Sequence, residues 1–159
     1  MSTTQGITTK VIQWVPTLAR TSLYPLPKFV QAYGLEWTFN QTLKESLRNG
    51  ELSFMDSRVV AVQVLDIDLT FSVTAKDQQL AVNVLQTEGD VIIKGKLMDF
   101  LVLMAGKVDP DTLFFSRRLS LTGDTELGLQ VKNFLDTLDV ESILPRFFVS
   151  ALEKVPTPL

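Results

Sequence analysis

Asp66 and Asp68 form the nearest approach to a catalytic pair in this sequence. On an extended strand the two carboxylates would share one face about 7 Å apart, near the spacing that paired-carboxylate hydrolysis uses. No aromatic subsite accompanies them, and alternating polar residues are expected on the solvent face of a half-covered sheet. We therefore interpret both as surface residues, and a hydrolase stays the lesser hypothesis.

The segment Gly123 to Gly128, GDTELG, has the outline of a phosphate-binding loop. It lacks the following lysine and serine or threonine, and its acidic residues would repel an anion, so no nucleotide site is predicted. We predict instead that Gly123 forms a turn and that Asp124 caps a helix. Gly128 would cost that helix about 1 kcal/mol relative to alanine, which indicates close approach of another backbone or of a ligand.

The composition excludes several classes of chemistry, because the chain contains neither cysteine nor histidine. Disulfides, thiolate catalysis, serine-histidine hydrolysis and most zinc sites therefore lose their usual residues. We predict no catalytic residue, no metal and no other cofactor. The lack of cysteine and of a convincing signal peptide leads us to expect a cytoplasmic protein.

Positive charge is concentrated near the N-terminus, although the whole chain has a net charge of −3. Residues 1–34 carry three cations and no acidic residue, which is too few for nucleic-acid binding. We predict that 1–34 forms a basic aromatic arm and 35–159 the main domain. The arm either packs on its own domain or touches the inner membrane peripherally, and the contact candidates would be Lys10, Trp14, Arg20, Tyr24 and Lys28.

Apolar periodicity predicts an α+β domain. A helix is expected from Leu35 to Arg48, with Trp37 off its apolar stripe and available either for packing or for a ligand. The strand-like alternation that follows changes phase between Val64 and Leu65. This predicts either a bulge or bend there or a sheet covered on both faces, and we expect a curved, mainly antiparallel sheet. Further apolar helices are expected at Leu97 to Ala105 and from Val140 onward.

An aromatic pair and a basic pair lie next to each other in the segment Asp109 to Asp136. Asp109 and Pro110 are typical of a helix N-cap and first helical residue, and the order then runs through Phe114 and Phe115 to Arg117 and Arg118. As adjacent strand residues, the arginines should point to opposite faces, so at most one would bind a ligand headgroup. Ion pairing at the surface is the alternative. The apolar helices offer more surface than one sheet covers, which indicates an internal cavity, a partner or a membrane.

The stretch DPDTLFFSRRLSLTGDTELGLQVKN resembles the core of lipid carriers related to the sterol carrier protein domain. More narrowly, it resembles bacterial accessory factors of oxygen-independent ubiquinone biosynthesis, and the similarity extends over about Leu35 to Asp139. Aerobic relatives carry a longer helical C-terminal extension, so the end at Leu159 favours the oxygen-independent group. The resemblance implies helices and a curved sheet around an apolar tunnel. It also implies a polyprenylated ubiquinone precursor as ligand and iron–sulfur hydroxylases as partners, with no chemistry by the protein itself.

The resemblance does not identify the tunnel residues, so we predict the lining from position and polarity. It comprises Phe100, Met104, Leu113, Phe114, Phe115, Leu127, Val131 and Phe134. Three hypotheses for the function stay open: a carrier of ubiquinone precursors, a phospholipid or fatty-acid carrier in lipid homeostasis, and a protein-binding scaffold with an incidental cavity.

Overall fold

The computed structural model describes residues 17, 26–84, 86–104 and 107–138. Its helices are α1 (Lys28–Thr42), α2 (Lys44–Arg48), α3 (Leu97–Met104), α4 (Pro110–Phe115) and α5 (Thr125–Thr137), with a 3₁₀ helix at Ser53–Met55. The strands are β1 (Val60–Val64), β2 (Leu69–Lys76), β3 (Gln79–Asn83), β4 (Val91–Gly95) and β5 (Ser120–Gly123). The apolar helix predicted from Val140 onward lies outside the described residues.

The described strands form one five-stranded sheet in the order β3-β2-β1-β4-β5. β1 pairs in parallel with β4, and the three other pairings are antiparallel. This arrangement, with helices packed against the sheet, confirms the predicted α+β class and mainly antiparallel sheet.

The change of phase between Val64 and Leu65 is a hairpin turn, so the predicted bulge or bend is wrong. Residues 65–68 connect β1 to β2, and Asp68 has a positive φ of 53°. The antiparallel register pairs Val60 with Val73 and Val62 with Phe71. Even positions of β1 therefore lie on the same face as odd positions of β2, and the phase change keeps the apolar residues on one side.

Helix α1 begins at Lys28, well before the predicted start at Leu35. Pro27 is its N-cap, with a φ of −55° and an extended ψ of 143°, and proline is tolerated there because no helical hydrogen bond requires its missing N–H. The predicted apolar stripe does pack against the core, with Leu47 buried. Because α1 crosses position 34, no break in structure marks the proposed division between arm and domain, which stays a prediction.

Side chains of helix α1 form hydrogen bonds with the backbone of β3, which is an edge strand of the sheet. The Asn40 side chain accepts a hydrogen bond from the Leu80 N–H and donates one to the Leu80 carbonyl, both at 2.8 Å. The Glu36 carboxylate accepts from the Val82 N–H at 2.9 Å. Unpaired edge groups invite pairing with other chains, so these two side chains take the place of a neighbouring strand.

Ion pairs connect the structural elements at one end of the sheet. The Arg58 guanidinium lies 2.5 Å from the Asp124 carboxylate and 3.6 Å from that of Asp90. Asp124 also caps α5 by accepting from the Leu127 N–H at 2.9 Å, as the sequence predicted. The contact therefore ties the start of β1 to the start of α5 and to the residue before β4.

We expect Asp124→Asn to destabilise the fold at neutral pH but not in acid. The Leu127 N–H and then the Arg58 guanidinium hold the pKa of the Asp124 carboxyl below its usual value. A lowered folded pKa gives stability that is present above the unfolded pKa, about 3.9, and is lost as pH falls through the folded pKa. Asparagine keeps the capping oxygen and removes the charge. Denaturant unfolding of both proteins from about pH 7 to pH 2 should converge at low pH, and a pH-independent difference would contradict the ionic explanation.

We expect Gly123→Ala to lower the free energy of unfolding by about 3 kcal/mol. Gly123 has a φ of +111°, which side-chain-bearing residues rarely adopt, and an added Cβ would collide with the Asp90 carbonyl oxygen. Gly50→Ala is the matched control, because its φ is +73° and no atom lies within 4 Å of the added Cβ. It should cost only about 1 kcal/mol. Equal losses in thermal unfolding would show that the collision is relieved by a backbone shift.

Candidate functional site

The candidate site is the apolar interior between the sheet and α5. One sheet face contributes buried residues from four strands, including Val60, Phe71, Val82 and Ile93. Helix α5 places Leu127 and Val131 against this face, and Phe134 lies half-buried beside them with its ring centroid 6.1 Å from that of Phe54. Leu127, Val131 and Phe134 recur every three or four residues, so one side of α5 packs inward.

A second apolar cluster lies under α3 and α4. It contains Leu113, which is fully buried, together with Val102, Leu103, Val108 and Leu119. Phe100 and Leu135 pack against both clusters, so the two form one continuous apolar region. Asp109 caps α4 by accepting from the Asp111 N–H at 3.1 Å, which confirms the predicted cap.

Most of the predicted lining residues lie in this apolar region. They are Phe100, Leu113, Phe114, Leu127, Val131 and Phe134. Met104 ends α3, and its side chain lies outside the described part of the chain. Phe115 differs, because it is 87% exposed and points away from the interior. Neighbouring residues on a helix are about 100° apart, so the short helix α4 buries Leu113 and turns Phe115 outward. Whether the set lines a ligand tunnel stays a prediction.

The two arginines do not lie on a strand, so the predicted alternation between sheet faces is wrong. They occupy the turn between α4 and β5, where Arg117 has a φ of +58°. The Arg118 Nε donates to the Asp99 carboxylate at 2.7 Å, and its Nη2 contacts the same oxygen. Arg117 is exposed and forms no ion pair with any residue that the structure describes. Arg118 is therefore ion-paired with a buried carboxylate and not at the surface, and the headgroup role of the two arginines stays a prediction.

Asp99 is the site residue that sequence reasoning missed. Its side chain is only 7% exposed, and that of Arg118 is 28% exposed. A buried carboxylate is stable only when paired, so Asp99 fixes the position of the Arg118 side chain. The available signal was a single acidic residue in the otherwise apolar α3 sequence LMDFLVLM.

The remaining candidates have structural roles. Asp66 and Asp68 lie in the hairpin turn, not on a strand, and Asp66 accepts from the N–H of Leu97 at the start of α3 at 2.8 Å. They therefore do not form the strand-borne pair that hydrolysis would need. An added Cβ at Gly128 would collide with the end of the Leu121 side chain of β5, so glycine lets this side chain pack closely against α5. The group that approaches Gly128 closely is thus a side chain, whereas another backbone or a ligand was expected.

Trp37 lies in a surface groove that the core residue Leu47 also lines. The groove has a volume of about 600 Å³ between α1, α2 and the β2–β3 turn, and Trp37 is 59% exposed within it. Its other lining residues include Tyr33, Lys44 and Arg48, and none of the predicted tunnel residues contributes. Trp37 therefore does not pack in the core.

Of the five predicted membrane-contact residues, Lys28 is exposed at the start of α1. Lys10, Trp14, Arg20 and Tyr24 lie outside the described residues. Among the helices that the structure describes, none has the length and apolarity needed to cross a bilayer.

Comparison with known proteins identifies the family. The sequence profile of the SCP-2 sterol transfer family matches residues 39–136. The ubiquinone biosynthesis accessory factor UbiT of Escherichia coli K12 is 34% identical over 134 residues, which cover 84% of this chain and 76% of UbiT. The solved structure of a protein described as "UbiJ-SCP2 Ubiquinone synthesis protein" matches the fold with a TM-score of 0.58 at 18% identity, covering 70% of this chain and 93% of that one. The chain therefore belongs to the SCP-2 sterol transfer family and is similar to UbiT.

Proposed function

We propose that this protein is a non-catalytic lipid-binding accessory factor of ubiquinone biosynthesis. Its ligand is a polyprenylated ubiquinone precursor, held in the apolar region beneath α3, α4 and α5. The observation that carries the proposal is that six of the eight predicted lining residues lie in one continuous apolar region, in a chain that is 34% identical to UbiT.

The physical properties of this region suit a prenyl tail. Burial of a tail gains about 0.8 kcal/mol per methylene equivalent, so a few isoprene units outweigh the cost of ordering the ligand. Asp99 is the only buried acidic residue among those described, and Arg118 neutralises it. Arg118 uses two N–H donors on Asp99, and its other donors can bind a phenolic oxygen at the polar end of the ligand.

The pathway role extends this proposal. The protein acts in oxygen-independent ubiquinone biosynthesis and presents the precursor to iron–sulfur hydroxylases, which perform the chemistry. It works in the cytoplasm, where it contacts the inner membrane through Lys10, Trp14, Arg20, Tyr24 and Lys28 of the N-terminal arm. Aromatic rings and cations together suit the boundary between acyl chains and anionic headgroups.

Native mass spectrometry tests the ligand. The full chain is purified without detergent from a ubiquinone-making bacterium grown without oxygen, and any bound small molecule is released and identified. A prenylated phenol is the expected result. A bound phospholipid would replace the proposal with a general lipid carrier, and a ligand-free mass under gentle conditions would favour a scaffold.

A further inference from the structure

Helix α1 exposes an unusual amount of apolar surface. Eight large apolar residues are exposed in the part of the chain that the structure describes, and five of them lie within Leu26 to Trp37. These five, which we call the α1 face, are Leu26, Phe29, Val30, Tyr33 and Trp37. Phe29, Tyr33 and Trp37 are spaced four residues apart, which places their rings on one side of the helix. Contiguous exposed apolar surface of this kind typically marks an interaction site.

The α1 face leads into the groove beside α2. Tyr33 and Trp37 line this groove together with Lys44 and Arg48, which lie one helical turn apart. Neither cation forms an ion pair with any of the described residues. Of the two acidic residues in the groove, Glu36 is bonded to the Val82 N–H, and Asp77 belongs to the opposite wall. The helical wall therefore presents aromatic rings followed by two unpaired positive charges.

The opposite wall is a tight turn that an added strand cannot extend. Asp77 and Gln78 form a two-residue connection between β2 and β3, and both have positive φ, at 52° and 58°. The neighbouring edge groups are occupied, because Asn40 bonds both Leu80 backbone groups and Glu36 bonds the Val82 N–H. A ligand that needs free strand-edge groups is therefore excluded at these positions, and recognition has to use side chains.

The shape of the site distinguishes a protein segment from a membrane. A bilayer surface is broad and would span a 600 Å³ groove without filling it. A helix can fill a groove, and aromatic and arginine side chains are the types most enriched at protein-binding hot spots. From Phe29 to Trp37 the rise along α1 is about 12 Å, which corresponds to a little over two helical turns.

We propose that the α1 face and the adjoining groove dock an amphipathic helix of a partner protein. Apolar residues of that helix cover Phe29, Tyr33 and Trp37, and its carboxylates pair with Lys44 and Arg48. This interaction does not depend on which lipid the protein carries, because none of the predicted tunnel residues lies in the groove.

Site-specific photo-crosslinking in the native host tests the proposal. The full chain carries Trp37→p-benzoylphenylalanine, with the same residue at Leu129 on α5 as a control, since Leu129 is also exposed at 53%. The expected result is a protein crosslink from position 37 but not from 129, to a peptide with apolar residues and at least two carboxylates on one helical side. Lys44→Glu combined with Arg48→Glu should reduce the yield at least tenfold, and Lys44→Gln combined with Arg48→Gln should reduce it less. Thermal unfolding of each variant verifies the fold.

The decisive step is a charge swap. The carboxylates of the crosslinked peptide are changed to lysine. This change should restore the crosslink to the protein with Lys44→Glu and Arg48→Glu, and it should not support a crosslink to the unmodified or the glutamine-substituted protein. A synthetic peptide of that sequence should bind the unmodified protein at least tenfold more tightly than the double variant. A crosslink only to phospholipid, a protein crosslink indifferent to charge reversal, or no crosslink from position 37 would each overturn the proposal.

Discussion

Arg118→Ala should lower the free energy of unfolding by about 3 kcal/mol, because it leaves the carboxylate of Asp99 buried without a partner. The Asp99 side chain is only 7% exposed, so solvent compensates poorly for the lost guanidinium. Chemical denaturation of the purified variant measures the loss. Removing one member of a buried ion pair is costly even where the intact pair itself adds little stability.

The neighbouring arginine provides a matched control for this prediction. Arg117 is exposed and unpaired among the described residues, so Arg117→Ala should change stability by no more than about 0.5 kcal/mol. Arg117→Gly should be stabilising, because glycine adopts the observed φ of +58° without strain. A second test replaces both partners, as Asp99→Leu with Arg118→Met, and should recover most of the lost stability. Equal losses at positions 117 and 118 would contradict a specific role for the Asp99 contact.

Features fixed by neighbours in sequence were predictable. The caps at Asp109 and Asp124 follow from side chains that bond backbone N–H groups two or three residues later, and both are confirmed. The inward side of α5 follows from helical periodicity in the same way. These rules use only local geometry, so one sequence is enough to apply them.

Features fixed by distant contacts were not predictable. Helix α1 is apolar on two sides, and its path depends on Asn40 meeting Leu80, a contact between residues 40 positions apart. The apolar alternation changes phase after Val64, and this change predicts a bulge unless the pairing register of β1 and β2 is known. Asp99 and Arg118 are 19 positions apart, and no local rule pairs them. The exposure of Phe115 follows from how α4 docks, which periodicity cannot decide over six residues.

Phe134→Ser should reduce the amount of lipid that the protein retains more than tenfold. Phe134 lies in the continuous apolar region, and loss of its ring removes about 2 kcal/mol of apolar contact, which corresponds to about thirtyfold in affinity. Native mass spectrometry of protein purified without detergent measures the retained fraction. Loss of this residue should also weaken packing against Phe54, so the stability of each variant has to be determined alongside.

Phe115→Ser is the control. It also removes a phenylalanine ring, but Phe115 is 87% exposed, so the comparison shows whether lipid loss depends on the position of the ring. It should retain lipid to within about twofold, since an exposed ring contributes no wall to an interior cavity. Phe134→Leu keeps the site apolar and should give an intermediate result with a stable fold. If Phe134→Ser stays folded and keeps its lipid, the ligand does not lie against α5. If Phe115→Ser loses lipid as completely as Phe134→Ser, the ligand enters or binds at the tip of α4, and the surface formed by Phe115 and Arg117 becomes part of the site.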